Sequence, residues 1–104
     1  MLQKFDERNR NIQVFIKDKL VPRSQACINV FDSVVQGGDA VWEGLRLYSE
    51  GIFLLERHLN RLMESAHALA FQSVPDREIV RDAIFATLKS NGMIEDCHIR
   101  LTLT

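Results

Sequence analysis

The sequence predicts an α+β fold, an antiparallel sheet with two helices packed on one face, and three observations carry that reading. Residues 41–48 and 97–104 alternate apolar and polar side chains with the period of two that a half-buried strand requires. Residues 56–70 and 76–91 instead repeat apolar side chains at three- and four-residue steps, which align on one face of a helix. Gly37-Gly38, Ser49-Glu50-Gly51 and Asn91-Gly92 supply turn chemistry at the junctions.

In chain order, Met1 to Asn11 is polar and mixed in charge, and it is expected to be a frayed lead-in. Ile12, Val14 and Ile16 then alternate with Gln13, Phe15 and Lys17 as a first strand, turned by Asp18-Lys19. Leu20-Val21-Pro22 returns beside it as an edge strand that stops at Pro22, which has no N–H to give a ladder. Arg23 to Ala26 is loop. Ile28, Val30, Phe31, Val34 and Val35 form a mostly apolar segment, either a buried strand or a short irregular run, and periodicity does not decide between them.

From Val41 the alternation puts Val41, Glu43, Leu45 and Leu47 on one face and Trp42, Gly44, Arg46 and Tyr48 on the other. A strand Ile52–Leu55 follows the turn. A helix from about Glu56 to Ala70 then carries the stripe Leu59, Leu62, Met63, Ala66, Leu69 and Ala70. Asp76 is placed to cap a second helix running to about Asn91, with Ile79, Val80, Ala83, Ile84, Thr87 and Leu88 as its buried stripe. The last strand turns Cys97, Ile99, Leu101 and Leu103 toward the helices and His98, Arg100, Thr102 and Thr104 away. If both long strands belong to one sheet, Arg100 shares a face with Trp42, Arg46 and Tyr48.

Composition bounds the partners. A chain of 104 residues, 46% hydrophobic and 26% charged, suits one globular domain. Thirteen basic against fourteen acidic residues leave a net charge of −1, which offers no electrostatic footprint for nucleic acid or an acidic membrane, so any anion site must be local. Cys27 and Cys97 lie far apart with no histidine at ligand spacing, which argues against a metal site and for reduced thiols. Met1 to Arg10 has no apolar signal region and no stretch is long enough to span a bilayer, so a cytoplasmic protein is expected.

An aromatic ring, a bare backbone, a guanidinium and a phenol on one strand face equip it with an apolar wall, room for close approach, an anion anchor and a hydrogen-bond donor. Ordinary cross-strand packing would use the same residues. The run Val-Trp-Glu-Gly-Leu-Arg-Leu-Tyr, the turn, Ile52-Phe53-Leu54-Leu55 and Glu56-Arg57-His58-Leu59-Asn60-Arg61-Leu62 together resemble the class IV, fold-type IV, pyridoxal-phosphate aminotransferases, the branched-chain enzymes most closely. The resemblance extends from Val14 to Thr104.

It implies a two-domain enzyme of the D-amino-acid/branched-chain aminotransferase-like fold, with residues 12–104 as the amino-terminal small domain. The activity implied is transfer of an amino group between a branched-chain or similar hydrophobic amino acid and 2-oxoglutarate, in a homodimer or higher homo-oligomer. Arg61, in the His-x-x-Arg-Leu context, would hold the cofactor phosphate. Trp42, Gly44, Arg46 and Arg100 would line the substrate side, and no catalytic residue lies in the chain. The lysine that such enzymes bond to pyridoxal 5'-phosphate would come from the second domain, so these 104 residues alone are expected to be inactive. Against the family pattern, Gly37 stands where branched-chain enzymes tend to have an aromatic, and His98-Ile99-Arg100-Leu101 stands for Tyr-Ile-Arg-Pro, which bears on the substrate rather than the cofactor. An aminodeoxychorismate lyase or D-amino-acid aminotransferase of the same fold, and a non-catalytic binding or dimerisation module, remain the alternatives. Without the resemblance, Arg61 would read as a solvated helix arginine paired with Glu64 or Glu56, and His58 and His67 as surface groups.

Overall fold

From its amino end the chain, seen in a computed structural model that describes residues 4–104, forms a hairpin of β1 (Gln13–Ile16) and β2 (Lys19–Pro22) and a short helix α1 (Ser33–Gly37). The long strand β3 (Val41–Tyr48) and its brief partner β4 (Gly51–Ile52) follow. Two helices of 14 residues each, α2 (Leu55–Ala68) and α3 (Arg77–Ser90), precede the last strand, β5 (Cys97–Leu103). The strands form two antiparallel sheets: the β1–β2 hairpin, and a three-stranded sheet in the order β4-β3-β5.

The alternation in β3 is expressed in full, with Val41, Glu43, Leu45 and Leu47 buried and the residues between them turned outward. β5 runs beside β3 from Val41↔Leu103 to Leu47↔Cys97, so the two long strands do share one sheet and Arg100 falls opposite Gly44. Leu59, Leu62 and Ala66 of α2 pack on the buried face, and Val80, Ile84 and Leu88 of α3 complete the core with Val41, Leu47 and Cys97. At the end of α3, Asn91 clamps the hairpin. Its Oδ1 accepts from the Gln13 N–H at 2.7 Å and its Nδ2 donates to the Gln13 carbonyl at 3.0 Å, which replaces the ladder that a separate two-stranded sheet lacks.

Several expectations need correction. The lead-in from Lys4 is not frayed: Asp6 caps a 3-10 turn at Glu7–Asn9, the Arg8 Nη1 donates to the Asp96 carbonyl, and the Arg23 guanidinium lies 4.9 Å from the Phe5 ring centroid. Met1 to Gln3, the rest of that lead-in, fall outside the described residues. Arg23–Gln25 is a further 3-10 turn rather than loop. Of the two alternatives for the apolar segment before Gln36, the buried strand is excluded and the irregular run holds for residues 28–32; Phe31 is 80% exposed, and Asp32 accepts from the Val34 N–H to start α1, which takes in Val34 and Val35 and ends on Gly38 at a φ of +75°. The expected strand Ile52–Leu55 stops at Ile52. Leu54 takes a left-handed φ of +54°, which breaks the extended chain and lets α2 begin at Leu55. Leu69 and Ala70 lie past the end of α2, and Ile79 is 58% exposed, because the fully buried positions of α3 follow the four-residue spacing of Val80, Ile84 and Leu88, with Ala83 and Thr87 only partly buried beside them. Asp76 occupies the cap position of α3 without a side-chain hydrogen bond to it.

Candidate functional site

The outward face of the sheet gathers Trp42, Gly44, Arg46 and Arg100, as the alternation of both strands requires. Trp42 is 54% exposed, and the Arg100 guanidinium carbon lies 4.0 Å from its ring centroid, a stacked cation–π contact. Arg46 is paired with Asp96, both side chains largely in solvent, where such a pair holds weakly. His98 stands opposite Arg46 and leans over Gly44: a Cβ on that glycine would come 3.0 Å from the imidazole Nε2. The bare backbone of Gly44 thus makes room for His98, in the space that the sequence reading assigns to the substrate. Tyr48 closes this face at its far end, its ring edge-on to Phe53 with centroids 6.3 Å apart.

On the opposite, helix-packed face lies a residue whose role the sequence reading missed. Glu43 is only 4% exposed, and a buried carboxylate must find donors or give up its charge. α2 supplies them. Arg61 donates from Nε to both carboxylate oxygens at 3.0 and 2.9 Å and from Nη2 to Oε1 at 2.6 Å. His58, one helical turn earlier on the same side of α2, brings Nδ1 to 2.7 Å from Oε1. Because a carboxylate only accepts, Nδ1 carries the hydrogen. The Arg61 guanidinium outweighs the penalty of burial, and with help from His58 it holds the Glu43 carboxyl below the usual carboxylate range.

This arrangement fixes one edge of Arg61 and leaves the other in solvent. The side chain is 64% exposed, and among the described residues Nη1 makes no hydrogen bond. Neither Glu64 nor Glu56 is its partner; Glu56 binds Arg77 and Arg81 instead and ties α2 to α3. His58 is not a surface group, its side chain being 18% exposed. The available signal was Glu43 itself, an acid at a buried register position, which demands a cation from whatever packs above it.

Arg61 and the Trp42–Arg100 cluster therefore lie on opposite sides of the sheet. β4 pairs only with Leu47 and Tyr48, so from Arg46 back to Val41 the β3 edge away from β5 has no strand partner among the described residues. Lys17 and Lys19 at the hairpin turn and Lys89 in the last turn of α3 belong to other parts of the fold.

Residues 40–104 match the amino-transferase class IV family. The chain is 56% identical over 96 residues to branched-chain-amino-acid aminotransferase-like protein 2 of Arabidopsis thaliana, covering 92% of this chain and 17% of that protein. It is 31% identical over 93 residues to the D-alanine aminotransferase of Listeria innocua, covering 89% of this chain and 32% of that enzyme. Among solved structures it superposes on a T.th. branched-chain amino acid aminotransferase complexed with N-(5'-phosphopyridoxyl)-L-glutamate, with a TM-score of 0.80 and 28% identity over 89% of this chain and 32% of that one. The chain thus spans between 17% and 32% of the length of these relatives. With its family match, its 56% identity to a branched-chain-like relative and a sheet and helix pair superposable on a solved aminotransferase, the chain belongs to the class IV aminotransferases.

Proposed function

We propose that this chain is the amino-terminal small domain of a pyridoxal-phosphate-dependent transaminase that moves an amino group between a branched-chain or similar hydrophobic amino acid and 2-oxoglutarate. The observation that carries the reading is the outward sheet face, where an indole ring and two guanidinium groups stand within one register of β3 and β5. A transaminase pocket must take an apolar side chain in one half of its cycle and a second carboxylate in the other. Trp42 suits the first and Arg46 and Arg100 the second. The likeness to branched-chain aminotransferases and a branched-chain-like relative supports the same substrate class.

The residues fit the phosphate end of the cofactor. Arg61 offers a guanidinium edge that is exposed, permanently charged and already oriented by Glu43 on its other side, which is the donor chemistry a phosphate takes. The cofactor, when bound, supplies the electron sink for amino transfer. In this reading the covalent lysine comes from outside these residues, so the 104-residue chain alone is inactive. Two unbridged thiols, exposed Cys27 and buried Cys97, accord with a cytoplasmic enzyme, and the exposed apolar side chains accord with a homodimer or higher homo-oligomer.

Arg100→Ala in the full-length protein tests the substrate assignment. Turnover with 2-oxoglutarate or glutamate should fall about tenfold or more, and turnover of leucine or valine much less, because only the former bring a second carboxylate. Equal losses would assign Arg100 to structure. A second reading, amino transfer from D-alanine, is favoured by the match to the Listeria innocua enzyme and predicts a donor of the opposite hand.

A further inference from the structure

We infer that Glu43 is a positioning residue for phosphate recognition: its buried carboxylate, steadied by His58, grips Arg61 by Nε and Nη2 and so presents the remaining guanidinium edge to the cofactor phosphate. The inference rests on the proposed cofactor role of Arg61 and goes one residue beyond it. Three features carry it. Glu43 is inside the protein while the arginine that it grips is mostly outside, so the contact anchors a mobile side chain to the rigid strand. The contact engages Nε and Nη2, the inner side of the fork, and uses no hydrogen of Nη1. His58 occupies the same Oε1 that receives Nη2, which leaves the carboxylate little freedom to swing away.

The sign of the effect separates this role from plain electrostatics. Glu43 carries a negative charge beside the anchor, so charge alone predicts that Glu43→Gln tightens phosphate binding. Positioning predicts the reverse, because a long side chain released into solvent must be ordered again each time that it binds.

The test is a titration of the full-length protein, cleared of cofactor, with pyridoxal 5'-phosphate and in parallel with pyridoxal, which lacks the phosphate, followed by fluorescence or absorbance. Arg61→Ala should weaken the phosphate ester by roughly thirtyfold or more, the scale of a lost charged pair, and leave pyridoxal nearly unchanged. Glu43→Gln should weaken the phosphate ester by about three- to tenfold, again sparing pyridoxal, and should add nothing in an Arg61→Ala background. Glu43→Asp keeps the buried charge but shortens its reach, so it should show the same selective loss even if the glutamine variant folds poorly. If Arg61→Ala leaves affinity unchanged, the cofactor reading and this inference both fall. If Arg61→Ala weakens the ester while both Glu43 variants bind it as well as the wild type or better, only the positioning role falls. Equal losses for the ester and for pyridoxal would likewise overturn it in favour of a general structural role.

Discussion

A carboxylate as deeply buried as Glu43 is costly unless it is matched, and here it is matched twice, by a guanidinium fork and by an imidazole. Its titration should be visible in stability. The folded pKa lies below the unfolded one, so the unfolded chain binds the proton first as pH falls. The contribution of Glu43 is therefore fully present above the ordinary glutamate pKa, about 4.3, and is lost progressively as pH drops through the lower folded value. Glu43→Gln should cost about 1 kcal/mol near neutral pH and should flatten the acid limb of a stability–pH curve measured by urea melts. An acid limb as steep as that of the wild type would show that the carboxylate is not set apart by its surroundings. At this scale the shared side of Trp42 and Arg46 was legible from alternation alone, while Arg100 joins them only because β5 pairs with β3 in one sheet, which the sequence left as a condition. The Glu43–Arg61–His58 cluster was not, because it joins a strand to a helix through a contact between residues far apart in sequence, and no local period records such a pairing.

Elements divide along the same line. Strands and helices with a full period of their own, β3, β5, α2 and α3, lie close to where the pattern puts them, and their buried stripes set the core. What local pattern could not supply was packing context. In the apolar run before Gln36, Ile28, Val30, Phe31 and Val35 are each more than half in solvent, and Leu54 takes a left-handed backbone where β4 turns into α2. Substitutions should follow packing rather than hydrophobicity. Leu59→Ala, at a site with no exposure, should cost about 2–5 kcal/mol, while Ile79→Ala, on the open side of α3, should change stability by no more than about 0.5 kcal/mol. Chemical denaturation of the two variants checks this, and similar losses at both sites would mean that the outer side of α3 is covered.

For the whole molecule, the decisive feature is how much apolar surface the fold leaves open. Tyr48 and Phe53 pack edge-on at one end of the sheet and Trp42 stands toward the other end of β3, each about half exposed, and Ile28, Val30 and Phe31 add a further stretch before α1. Proteins that stay monomeric seldom leave such patches bare. The β3 edge away from β5 also has no strand partner from Val41 to Leu45 among the described residues, an invitation to further chain. Expressed alone, the 104-residue chain should self-associate, and sedimentation velocity at increasing concentration should show a rising weight-average mass; a constant monomer would argue that these patches are not contact surfaces. The central claim, that a class IV domain with this face serves a branched-chain transaminase, is tested most directly by the products of the full-length protein. Incubated with pyridoxal phosphate, leucine and 2-oxoglutarate, it should form the branched 2-oxo acid and glutamate one for one, with no reaction when D-alanine replaces leucine. Glutamate formed from D-alanine but not from leucine, or an oxo acid released with no glutamate to match it, would contradict the account.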